Sequence, residues 1–271
     1  MKSSRSNARL AVAGFLVVTA FFIPTRVRAL DDYTSPRNAD VDARGAKSVR
    51  IEAGAGFLKV EGRNDIDQVQ VRGTARASRK SWLDDIKLTA ERRGDEVFIK
   101  AEMPDNDHGL FDMMRGDWQQ VLDLTIEVPV SLSLDVDDGS GEAEFNNIGA
   151  LRFEDGSGEM TIRNAHGNVR VVDGSGSITI EGVEGSVRVD DGSGEIRARN
   201  VTGDFTIGED GSGGIDVSDI GGTMRVETDG SGSIGAERIG GDFIVERDGG
   251  GGIRFANVKG SVDIPERKRR S

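Results

Sequence analysis

The chain has no cysteine among its 271 residues, which excludes a disulfide framework, thiol catalysis and a cysteine-linked lipid anchor. Aromatic residues make up only 5% of it, so any core must be thin and mostly aliphatic. Histidine occurs twice, at His108 and His166, and neither stands in a nucleophile or metal-ligand spacing. The longest apolar run, Leu10 to Ile23, is short for a membrane span. With Lys2, Arg5 and Arg9 before it and Val27-Arg28-Ala29 after it, that run predicts a secretory signal peptide over residues 1–29, cleaved after Ala29 and leaving no stable span. Cleavage removes five basic residues and no acidic ones. The formal charge of −12 becomes −17, which disfavours nucleic acid as a partner.

What the chain has in excess is glycine, and its glycines are periodic. The tetrapeptide Asp-Gly-Ser-Gly begins at Asp138, Asp155, Asp173, Asp191, Asp210 and Asp229, and Asp-Gly-Gly-Gly begins at Asp248, in steps of 17, 18, 18, 19, 19 and 19 residues. That spacing is too regular for chance and too short for a helical repeat. Within each unit the apolar residues alternate. Ile178 and Ile180 are followed by a break at Val183 to Gly185, and then by Val187 and Val189. Period 2 over such short runs means strands. The two breaks read as corners. The Asp can bond backbone two residues on, the glycines supply positive φ, and Asn147, Asn164, Asn200, Asp219 and Asn257 mark the second corner.

A single coil of this kind cannot cover its own apolar side chains, so the copies must stack and share a core. The expectation is an all-β parallel β-solenoid, right-handed by the crossover rule, with two short strands per coil of about 18–19 residues. Seven coils over residues 137–265 would span roughly 34 Å at about 4.8 Å per coil. An antiparallel meander of hairpins is the alternative.

Before the coils, residues 30–47 lack periodicity and read as a disordered leader. Residues 48–136 read as a degenerate first coil, with Ala53-Gly54-Ala55-Gly56 in the Asp-Gly-Ser-Gly place, plus a β-rich cap. The cap consists of a hairpin turning at Arg93-Gly94-Asp95 and a long alternating strand from Leu122 to Val136, with Pro129 marking an edge or a bend. After the coils, Pro265 and the basic tail 266–271 would blunt the last edge.

The run D-G-S-G-x-I-x-I-x-N-V-x-G-x-V-x-V, preceded by Ile126-Glu127-Val128-Pro129-Val130, resembles bacterial secreted proteins grouped as "putative adhesins". The resemblance covers about Ser48 to Ile264 and implies a repeated β-strand domain of unsettled function.

Candidate sites are weighed on the same pattern. Stacking would place the seven aspartates in a column. Calcium-binding β-rolls carry a different nonapeptide, so backbone capping is the favoured role, with calcium as the alternative. No catalytic residue, cofactor or metal site is assigned, because Asp-Gly-Ser-Gly is not a nucleophile elbow and a serine copied at six turns is architectural. Arg152, Arg170, Arg188 and Arg225 recur at one outward position as a candidate ligand stripe, although nearby Glu154, Asp190 and Glu227 favour surface pairing. The loop carrying Phe111, Met113, Met114 and Trp118 is a candidate partner contact. The reading is a secreted, non-enzymatic envelope scaffold or adhesin-like binder of polysaccharide or protein in the periplasm or outside the cell. A polysaccharide-acting enzyme on the same scaffold is the alternative.

Overall fold

A computed structural model describes residues 33–103 and 120–266. The first part contains β1 (Tyr33–Asp42), β2 (Ser48–Glu52), β3 (Leu58–Arg63), β4 (Gln68–Ala77), β5 (Lys87–Arg93), β6 (Glu96–Glu102), β7 (Gln120–Pro129) and β8 (Ser133–Asp138). Then come β9 (Ala143–Ile148), β10 (Leu151–Asp155), β11 (Met160–Ala165), β12 (Val169–Asp173), β13 (Ile178–Val183), β14 (Val187–Asp191), β15 (Ile196–Val201) and β16 (Phe205–Asp210). The last strands are β17 (Ile215–Ile220), β18 (Met224–Val226), β19 (Ile234–Ile239), β20 (Phe243–Val245), β21 (Ile253–Val258) and β22 (Val262–Asp263). The only helix among the described residues is one 3-10 turn at Lys80–Trp82.

From β9 onward the odd strands form one sheet and the even strands the other, and each strand pairs in parallel with its equivalent in the next coil. Met160, Ile162 and Ala165 pair with Ile178, Ile180 and Val183, and these in turn with Ile196, Ala198 and Val201. This is a parallel β-solenoid of about seven turns, and the in-register parallel pairing excludes the meander. Aliphatic residues at alternate positions fill the space between the sheets. The rings that enter, Phe145, Phe153, Phe205 and Phe243, are fully buried.

The corners work differently from the simple expectation. Only the second glycine of each Asp-Gly-Ser-Gly has positive φ, for example 143° at Gly176. The first is required by close approach, since a Cβ on Gly174 would lie 2.5 Å from the carbonyl oxygen of Gly156 in the coil below. At the second corner Asn147, Asn164, Asn200, Asp219 and Asn257 hold the left-handed conformation, as does Arg238, at φ 53–59°. That residue re-aims the strand end, so that Ala165, Val183 and Val201 still point into the core.

At the N-terminal end both sheets are prolonged. β2 and β3, joined through Gly54 and Gly56, stack in parallel on β8 and β9. The β5–β6 hairpin continues one sheet, with β6 parallel to β2, and β7, β4 and β1 continue the other. The expected single strand from Leu122 to Val136 is two strands. After Pro129 the chain turns, β7 belongs to one sheet and β8 to the other, and the unbroken alternation spans the corner because both strands face the same core.

The expected disordered leader is also corrected, because Tyr33–Asp42 forms β1 and pairs over its whole length with β4. It is an edge strand with one half-covered face, so its sequence is polar. Arg37 anchors it by donating to the carbonyls of Leu83 (2.5 Å) and Ile86 (2.9 Å). At the far end Pro265 follows β22, but β21 remains an outer edge with Phe255 46% exposed. The expected blunting by proline therefore does not extend to β21.

Candidate functional site

Two columns of charge run along the outside of the even-strand sheet. In register, Arg152, Arg170 and Arg188 succeed one another on β10, β12 and β14. Thr206 follows on β16, then Arg225 on β18 and Ile244 on β20. Beside them stand Asp137, Glu154, Val172 and Asp190. The structure thus brings the four candidate arginines into one interrupted column, and every one of them is engaged. Arg152 binds Glu154 and lies 3.7 Å from Asp135, Arg170 binds Asp190 (3.0 Å), and Arg225 binds Glu246 (2.6 Å).

Arg188 reaches furthest. It contacts Asp190 (3.3 Å) and, passing over β16, Glu227 two coils away (2.9 Å). Gly208 makes room, because a Cβ there would collide with the Arg188 guanidinium and the Asp190 carboxylate. The hydrogen bond that Arg188 donates to Glu227 raises the pKa of Arg188 and lowers that of Glu227. The sequence signal for this arrangement was a missing side chain on an outward position. The opposite sheet behaves alike, with Arg199 on Glu181 (2.7 Å) and Arg238 on Asp219 (2.6 Å). The candidate ligand stripe is therefore a self-neutralising lattice of ion pairs.

His166 lies on the second corner and links three coils, with Nδ1 3.0 Å from Glu184 and Nε2 2.9 Å from Asn147 Oδ1. His108 and the candidate contact residues Phe111, Met113, Met114 and Trp118 lie outside the described residues.

The aspartates of the repeat are the main departure from a surface reading. Asp138, Asp155, Asp173, Asp191, Asp210 and Asp229 face inward and are buried, with at most 8% of their surface exposed. They are paired in register from coil to coil. The expected backbone contact exists. Asp155, Asp173 and Asp191 each accept through Oδ1 from the N–H two residues on, at 3.1–3.2 Å. Among the described residues Oδ2 is buried without a donor in all six, and in Asp210 and Asp229 Oδ1 is too.

Burial, reinforced for Asp138 by the charge of Asp155, pushes Asp138 up to about 7. Asp173 rises to about 6 through burial and then the charges of Asp191 and Asp155, and Asp210 to about 7 through burial and then Asp191 and Asp229. Asp155, Asp191 and Asp229 are raised too, with burial as the leading cause. A carboxyl in this setting favours its neutral form, whose O–H supplies a donor that a neighbouring carboxylate lacks. No group of three or more His, Asp or Glu among the described residues is arranged to hold a metal ion.

Solved structures similar to the chain include a "putative adhesin" from Bacteroides fragilis, at 12% identity over 85% of this chain and 96% of that one, with a TM-score of 0.41. Others are a "putative cell adhesion protein" from Clostridium sporogenes, at 11% identity, 86% and 98% coverage and a TM-score of 0.32, and a "putative lipid binding protein" from Parabacteroides distasonis, at 14%, 84%, 96% and 0.33. No curated protein matches the chain. The family described as the N-terminal domain of toast_rack, DUF2154, matches residues 31–181, ending in β13 although the coils continue to β22. With more than half of its length matched, the chain belongs to this toast_rack N-terminal domain family.

Proposed function

We propose that the protein is a secreted, non-enzymatic scaffold or binding protein of the bacterial envelope. Residues 1–29 direct its export, and the solenoid presents its outer faces to an extracellular or periplasmic polysaccharide or protein. The observation that carries this reading is that the acids and bases of those faces hold one another. Arg170 binds Asp190, Arg188 binds Glu227, Arg199 binds Glu181 and Arg238 binds Asp219, and where His166 and Glu184 line one surface cleft they are bonded to each other. Among the described residues no helix is long and apolar enough to cross a membrane.

The face bearing Arg152, Arg170, Arg188 and Arg225 is the surface assigned to the partner. Its charges are held in place by neighbours, alternate in sign and extend over several coils. Such a surface fits a hydroxyl-rich glycan or a mixed-charge protein better than a polyanion, which would have to break every pair. Glycan-array binding by the exported protein tests the assignment. Affinity is expected to fall in steps as arginines from successive coils are replaced. Abrupt loss at one coil, or cleavage of a uronic-acid polymer, would overturn the reading.

A further inference from the structure

The two ends of the solenoid are finished differently. At the N-terminal end the outermost strands are β1, which carries Pro36 and the anchored Arg37, and β5, which carries Lys87, Glu91, Arg92 and Arg93. Proline and charge on an outer strand oppose further pairing. At the C-terminal end the outermost strands are β21 and β22, and no described strand pairs with their free sides. Phe255 and Val262 are 46% and 39% exposed there, and Ile253, Val258 and Ile264 are only partly covered.

Charge tells the same story. In the coils, ionic partners mostly come from a neighbouring coil, as in Arg199 with Glu181 or Arg225 with Glu246. Arg254 on β21 and Asp263 on β22 point outward on the last coil, and neither has an ion-pair partner among the described residues. An apolar end flanked by one unpaired cation on one sheet and one unpaired anion on the other is complementary to itself.

We propose that this end docks a second copy of the same chain, tail to tail, about a two-fold axis along the strand direction. β21 runs out across one sheet and β22 returns across the other, so the rotation sets β21 of each copy antiparallel to β22 of its mate, twice. Phe255 and Val258 then meet Val262 and Ile264 of the second copy, and each Arg254 approaches an Asp263. A pairing of this kind is closed and stops at two, because the N-terminal ends are left facing away. One coil end is a small interface, below roughly 1,200 Å² in total, so the dimer belongs among the weak, concentration-dependent ones. The inference does not depend on the function proposed above.

Sedimentation equilibrium of the exported protein between about 1 and 200 μM tests it, since a weak dimer populates across that range. A monomer–dimer equilibrium weakened by salt is expected. F255D with V262K is expected to leave monomer only. R254D alone is expected to weaken pairing roughly tenfold, and R254D with D263R to restore it, as a direct charge pair requires. Because those two side chains point outward, the swap does not depend on how the last coil tolerates a core change. Amide exchange of Ile253 and Phe255, whose N–H groups face the free edge of β21, is expected to slow as dimer forms. A monomer at every concentration, a dimer indifferent to these substitutions, oligomers growing beyond two, or Ile253 and Phe255 amides already protected in the monomer would each overturn the proposal.

Discussion

Asp173 on β12 stands in register over Asp155 on β10, both side chains turned into the core and both with an Oδ2 that meets no donor. The most repeated residue of the sequence is thus a buried acid stacked on its own copy, and much of the protein's stability behaviour follows from that.

Stability is expected to fall as pH rises from about 4 to about 7. The folded-state pKa of Asp138 and Asp210 is about 7 and that of Asp173 about 6, above the ordinary 3.8. The folded protein therefore holds more protons than the unfolded chain across that window, and each such group's contribution is fully present below 3.8 and lost through the folded value. Opposing groups set the lower limit. Glu52, Glu181, Asp219 and Glu227 have lowered pKa values from their basic partners, so their contribution is lost in acid. A maximum near pH 4–5 in urea-unfolding midpoints would agree with this balance, and a midpoint still rising between pH 5 and 8 would contradict it.

Asp173→Asn is expected to stabilise the protein at pH 8 and to change little at pH 5. An amide keeps the acceptor for the Ser175 N–H, cannot ionise, and offers a donor to the column. The gain at pH 8 should be about 1–3 kcal/mol, the cost of leaving a buried polar group unsatisfied. Denaturation of wild type and variant at the two pH values measures it, and equal effects at both would remove ionisation as the cause.

Two glycines of neighbouring position separate sterics from composition. A Cβ on Gly194, at φ 151°, would fall within bonding distance of the Gly176 carbonyl oxygen, whereas one on Gly214 meets nothing nearer than Glu195 Cγ at 3.9 Å. Gly194→Ala is expected to cost about 3 kcal/mol or more, or to prevent folding, and Gly214→Ala to stay within about 0.5 kcal/mol. Thermal unfolding of the pair decides it.

Calcium and chelator are both expected to leave the melting temperature unchanged. Oδ1 of Asp155, Asp173 and Asp191 already accepts a backbone N–H, and no group of three or more acidic side chains among the described residues is arranged to hold a metal ion, well short of the six to eight oxygens that calcium needs. A rise of several degrees with calcium would show that the column binds the ion after all.

Coupling between Arg188 and Glu227 is expected to be about 0.5 kcal/mol, because both side chains are about one-third exposed and solvent screens them. A double-mutant cycle with R188A and E227Q measures it. Gly208→Ala should abolish the coupling, since the added methyl occupies the path of the guanidinium.

The coil was legible because its physics is local. Ile178 and Ile180, Val187 and Val189 alternate with polar neighbours, Asn164 and Asn200 tolerate a left-handed corner, and the regular steps of Asp-Gly-Ser-Gly demand stacking. The arginine pairing was legible for the same reason, since Glu154 and Asp190 lie two residues from Arg152 and Arg188. Strand β1 was not, because an edge strand needs only one partner and tolerates Pro36 and charge. Nor was the bend after Pro129, where two strands facing one core look like a single run.

The sequence by itself determined the coil, its length and its corners, because each depends on residues a few positions apart. Tertiary structure alone decided which way the aspartates point, that Arg188 crosses a coil to Glu227, and that no described strand lies beyond β21 and β22. Burial and pairing of that kind depend on what the neighbouring coil supplies, and a residue's own local pattern carries no record of the neighbour above it.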